Sequence, residues 1–78
     1  MTKTVDIQDS WKQITKVGFS GLIQNIGSRD MWIFIGENPS SKGHKLKSGE
    51  FMRLEKTSRP IFSKATSTHG DIAITEDD

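Results

Sequence analysis

The chain has 78 residues, 32% of them apolar, a formal charge of +1 and no cysteine. That length holds one domain and excludes disulfides as a source of stability, and a charge so near zero gives no field that would recruit nucleic acid or an anionic membrane. Ordering so short a chain costs about 1.5 kcal/mol per residue, close to what its apolar burial returns, so packing against copies of itself or another protein is expected.

Residues 1–10 are polar, with Val5 and Ile7 as an alternating apolar pair. They read as a flexible arm outside the domain, able to add a short strand and to take part in assembly, which makes Val5 and Ile7 candidate interface residues. The opening residues have no apolar core of signal-peptide length and no run approaches the ~18 residues of a membrane span, so a soluble product made in the cytoplasm is expected. From Trp11 to Val17 two readings compete. Trp11, Ile14 and Val17 lie three apart as on a helix, with Asp9 or Ser10 as a cap, whereas the β-branched content favours a strand. The strand is preferred, with one short helical turn as the alternative.

Residues 22–26 form a short strand bounded by Gly21 and by the turn-rich 27–30, and Met31–Ile35 is apolar on both alternating faces, the pattern of a central strand covered on two sides. Residues 36–43 contain Pro39 and flanking glycines and form a surface loop. Lys47-Ser48-Gly49-Glu50 is a tight turn before a strand at 51–55. Two last runs, 61–65 and 71–75, joined through Thr66-Ser67-Thr68-His69-Gly70, read as a hairpin. The fold class is therefore all-β: a small antiparallel sandwich or barrel of about six short strands. One β domain covers 11–75, followed by a solvated acidic tail at 76–78.

Chemistry-bearing residues are sparse. Gln24 and Asn25 point to opposite faces of a strand, so Asn25 is expected to satisfy backbone groups rather than share a ligand with Gln24. Trp32 and Phe34 share one face of their strand, while Met31, Ile33 and Ile35 share the other. One of these faces is core, and the Trp32 and Phe34 face is equally a candidate subunit interface, where aromatics are enriched. Trp11 is a candidate ligand-stacking residue, although a lone tryptophan there is more often core. His44 and His69 read as surface histidines without ligand spacing, and Asp71 with the acidic end lacks the ordered oxygens of a calcium loop. No nucleophile elbow, phosphate loop or paired-carboxylate cleft is recognisable, so no catalytic centre, no metal and no cofactor are expected.

The order of features resembles a known group. A Trp-led first strand is followed by Leu22-Ile23-Gln24-Asn25-Ile26-Gly27, an aromatic-rich strand and a loop ending Gly43-His44-Lys45-Leu46. Then come Lys47-Ser48-Gly49-Glu50 and Pro60-Ile61-Phe62-Ser63-Lys64-Ala65, closed by Gly70-Asp71-Ile72-Ala73-Ile74-Thr75. From Trp11 onward this resembles the small β-sandwich virion proteins of tailed bacteriophages, of the capsid decoration or head-fibre type. The resemblance implies a structural virion protein, assembled in the host cytoplasm as a homo-oligomer, often a trimer, with the major capsid protein or another virion protein as partner. Two other readings stand beside it. One is a carbohydrate- or receptor-binding module that stacks its ligand on Trp11 or Trp32. The other is an OB-like single-stranded nucleic-acid binder using Trp32, Phe34, Phe51, Arg53 and Phe62, disfavoured because acids and bases interleave along the chain.

Overall fold

The computed structural model describes residues 2–39 and 43–77. Among the described residues there are eight strands, most of them alternating more and less buried side chains. These are β1 (Thr2–Gln8), β2 (Lys12–Thr15), β3 (Gly21–Asn25), β4 (Met31–Ile35), β5 (His44–Leu46), β6 (Phe51–Leu54), β7 (Ile61–Ala65) and β8 (His69–Glu76). The all-β expectation holds, with no helix among the described residues. Eight strands replace the roughly six expected, because residues 2–8 form a full strand rather than an arm and β5, with three residues, is too short to read as one. Of the loop at 36–43, Ser40, Ser41 and Lys42 lie outside the described residues, as does Asp78 of the acidic tail.

Two four-stranded antiparallel sheets pack face to face, in the orders β1-β8-β3-β6 and β2-β7-β4-β5. Their inner faces meet in a core of seven isoleucines (Ile7, Ile14, Ile23, Ile33, Ile61, Ile72, Ile74) with Phe19, Met31, Leu46 and Ala65. β-branched side chains suit this setting because they lose little rotamer freedom on a pleated surface. Among successive strands, only β4 and β5 are neighbours in one sheet; every other connection crosses the sandwich. The hairpin expected from 61–65 and 71–75 is therefore not formed. β7 pairs with β2 and β4, while β8 pairs with β1 and β3, and the segment between them arches from sheet to sheet.

The N-terminal segment is also corrected. Rather than an arm outside the domain, it pairs with β8 along its whole length, from Thr2 opposite Thr75 to Gln8 opposite His69. Ile7 is fully buried, so this candidate interface residue belongs to the interior, and Val5 is half-buried against the core. One alternating apolar pair is enough to seat a strand whose backbone is already satisfied by its neighbour. At the other end, Asp77 is exposed and also tied to the sandwich. Its amide donates to the Ser20 carbonyl at 2.8 Å, and its carboxylate pairs with Arg53, raising the Arg53 pKa through the hydrogen bond first and the charge second.

Candidate functional site

Asn25 shows how sequence and fold agree at one polar position. It is completely buried; its Nδ2 donates to the carbonyls of Arg29 (2.7 Å) and Leu46 (2.9 Å), and its Oδ1 accepts from the Gly27 amide (3.0 Å). The side chain thus ties the β3–β4 turn to β5 across the sandwich, the backbone-satisfying role expected of it. Gln24 points outward and reaches the Gly49 carbonyl at 3.2 Å. The tight turn is present as well. The Glu50 amide donates to the Lys47 carbonyl, the Lys47 amide donates to Glu50 Oε1, and Gly49 takes φ +82°, a left-handed value that glycine adopts without strain.

The aromatic side chains gather elsewhere. In β4, Met31 and Ile33 face the core, so Trp32 and Phe34 face outward; in β7, Ile61, Ser63 and Ala65 face inward, so Phe62 and Lys64 face outward. The pairing places Phe34 directly opposite Phe62, and Trp32 opposite both Lys64 and Lys45. Lys12 is opposite Ser63, so Trp11, one step earlier, stands level with Lys64. The outer face of this sheet therefore carries a row running Trp11, Lys64, Trp32, Lys45 across four strands, with Phe62 and Phe34 forming the next row.

The contacts within this face are specific. The rings of Trp11 and Phe34 meet edge-on with centroids 5.9 Å apart. The Lys64 ammonium lies 5.0 Å from the Trp11 ring centroid, and that of Lys45 lies 5.2 Å from the Trp32 centroid. Four of the six aromatic residues of the chain are thus half-buried on one outward sheet face. β4 is not covered on two sides: its inner face meets the second sheet and its outer face carries this cluster. Trp11, expected as core, belongs to the cluster too, because a residue one step before β2 follows the outward phase of that strand. The OB-type platform is not assembled, since Phe51 and Arg53 sit on the outer face of the opposite sheet.

Charge is divided between the sheets. The four strands β2, β4, β5 and β7 contain Lys12, Lys45, Lys64 and His44 and no acidic residue. The other four contain Asp6, Asp71 and Glu76 against Lys3, Arg53 and His69. Acids and bases that interleave in sequence are therefore sorted by the fold, because successive strands alternate between sheets. The four edge strands β1, β2, β5 and β6 each carry a Lys or Arg, and β2 has a register shift between Gln13 and Thr15. Such edges resist addition of another strand. The open surface is a face, not an edge.

A cleft of about 590 Å³ opens between edge strands β1 and β2, floored by Ile14, Phe19 and Ile74 and rimmed by Lys3, Lys16 and Glu76. Thr15 also lines it, and its Oγ1 is buried with no hydrogen-bond partner among the described residues. His44 and His69 are exposed and lie on different sheets, and His69 Nδ1 is 4.0 Å from Asp6. Among the described residues no three His, Cys, Asp or Glu side chains come together at metal-binding distance. No protein-family model, no curated protein and no solved structure matches the chain.

Proposed function

We propose that the chain is a non-catalytic docking protein whose working surface is the outer face of β2-β7-β4-β5. From the resemblance of its motifs, we propose further that it works in a tailed-phage particle as a capsid decoration or head-fibre base protein. The observation that carries the docking role is the outward cluster of Trp11, Trp32, Phe34 and Phe62 framed by Lys45 and Lys64. A half-exposed aromatic cluster of this kind is what protein interfaces concentrate at their centres. The sugar-stacking alternative is less well supported, because the Lys64 ammonium stands over the Trp11 ring that a pyranose would need.

The test is co-sedimentation with purified phage particles, comparing the native chain with Trp11→Ser/Phe34→Ser. Both substituted side chains point out of the fold, so the variant is expected to stay folded and to lose particle binding. Undiminished binding by a folded variant would move the working surface elsewhere, and mass spectra of particles that lack the chain would remove the virion assignment.

A further inference from the structure

The outer face of β1-β8-β3-β6 has a composition that matches the aromatic face. By alternation it carries Leu22, Phe51 and Ala73, with Ile26 just beyond β3, and Phe51 and Ile26 are 64% and 48% exposed. On its flank Asp6 and Asp71 stand directly opposite each other across β1 and β8. Like charges in that relation repel; Arg53 on the same face is engaged by Asp77, and His69 Nδ1 lies 4.0 Å from Asp6. One broad face of the molecule therefore carries aromatics with Lys64 and with Lys45, whose ammonium is 4.0 Å from the Asp30 carboxylate, and the other carries Leu22, Phe51 and Ala73 among Thr4, Gln24 and Thr75, with two carboxylates on its flank.

We propose that copies of this chain associate head to tail, the Trp11, Phe34 and Phe62 face of one copy seating on the Leu22, Phe51 and Ala73 face of the next, with Lys45 and Lys64 against Asp6 and Asp71. The proposal rests on the reading of the aromatic face as a docking surface and names its occupant as a second copy. Charge complementarity selects the arrangement. Unlike faces brought together put Lys45 and Lys64 against carboxylates, which the strands of two aromatic faces do not offer each other. Area permits it. The Cα extents are 31 × 25 × 16 Å, so the largest projection of the molecule, loops included, is on the order of the ~800 Å² per partner that a specific interface buries. A contact between unlike faces propagates, closing into a ring or extending as a filament.

Sedimentation equilibrium of the full chain tests this with two reversed variants, Lys45→Glu/Lys64→Glu and Asp6→Lys/Asp71→Lys, whose folding is checked by circular dichroism. The native chain is expected to self-associate, less so as salt rises. Each variant alone is expected to associate at least about tenfold more weakly, and an equimolar mixture of the two to associate again, because each then presents a face unlike its partner's. If a reversed variant does not fold, the neutral forms Lys45→Gln/Lys64→Gln and Asp6→Asn/Asp71→Asn replace it, each expected to weaken association by a smaller factor. A native chain that stays monomeric, a mixture that fails to recover, or an oligothymidylate that binds Lys45 and Lys64 in place of a second copy overturns the proposal. Particle binding by Trp11→Ser/Phe34→Ser is read separately, so head-to-tail association can fail while the docking face stands.

Discussion

Asp6 and Asp71 stand directly opposite each other in the β1–β8 register, both in the outward phase of their strands. In the isolated chain this is a repulsion that pairing tolerates. Asp71→Asn is therefore expected to stabilise the dilute monomer by about 0.2–1 kcal/mol at low salt while weakening self-association. Urea unfolding at low protein concentration, repeated with added salt, checks the first effect; a loss of monomer stability would contradict the account of this pair.

Asn25 and its sequence neighbour Gln24 are expected to differ sharply. Asn25→Ala strands the Leu46 and Arg29 carbonyls and the Gly27 amide around a buried void, at a cost of about 2–4 kcal/mol. Gln24→Ala, on the exposed side, should change stability by less than about 0.5 kcal/mol. Equilibrium unfolding of both variants makes the comparison, and equal costs would mean that Asn25 does not hold the turn to β5.

Ile7 discriminates between an N-terminal arm and a strand of the domain. Fully buried beside Ile72 and its neighbours, it should cost about 2–5 kcal/mol when cut to alanine. Thermal unfolding indistinguishable from the native chain would return residues 2–8 to the status of an arm.

Thr15 gives a prediction of opposite sign. Its hydroxyl is buried without a partner, so Thr15→Val keeps the shape and removes an unsatisfied group, and should raise stability by about 1 kcal/mol. Were the valine variant less stable, the hydroxyl would have a partner in solution, and the cleft beside it would become a binding site to explore.

The parts of this architecture that could be read from sequence are those set by period two. Met31 and Ile33 against Trp32 and Phe34, Asn25 inward against Gln24 outward, and the Gly49 turn all follow from alternation and local turn chemistry. Alternation says which face a residue takes but not which sheet its strand joins. The segment Thr66-Ser67-Thr68 has no Asn-Gly or Asp-Gly signal, and three extended residues span roughly 10 Å, the distance between packed sheets, so an arch fits as well as a hairpin. Misreading that one connection also hid the charge sorting, since acids and bases separate only because the chain changes sheets at almost every step. Trp11 was missed as a member of the aromatic cluster for a related reason: its neighbours Phe34 and Lys64 lie far away in sequence, and only the β2–β7–β4 order brings them together.

The central claim is that the outward aromatic face meets a partner. Hydroxyl-radical footprinting of the full chain, free and then bound to particles or self-associated, measures it residue by residue. Trp11, Phe34 and Phe62 should react readily in the dilute chain and be protected on binding, with Gln13 at their border less changed. Equal reactivity of the three rings in the free and bound states would contradict it.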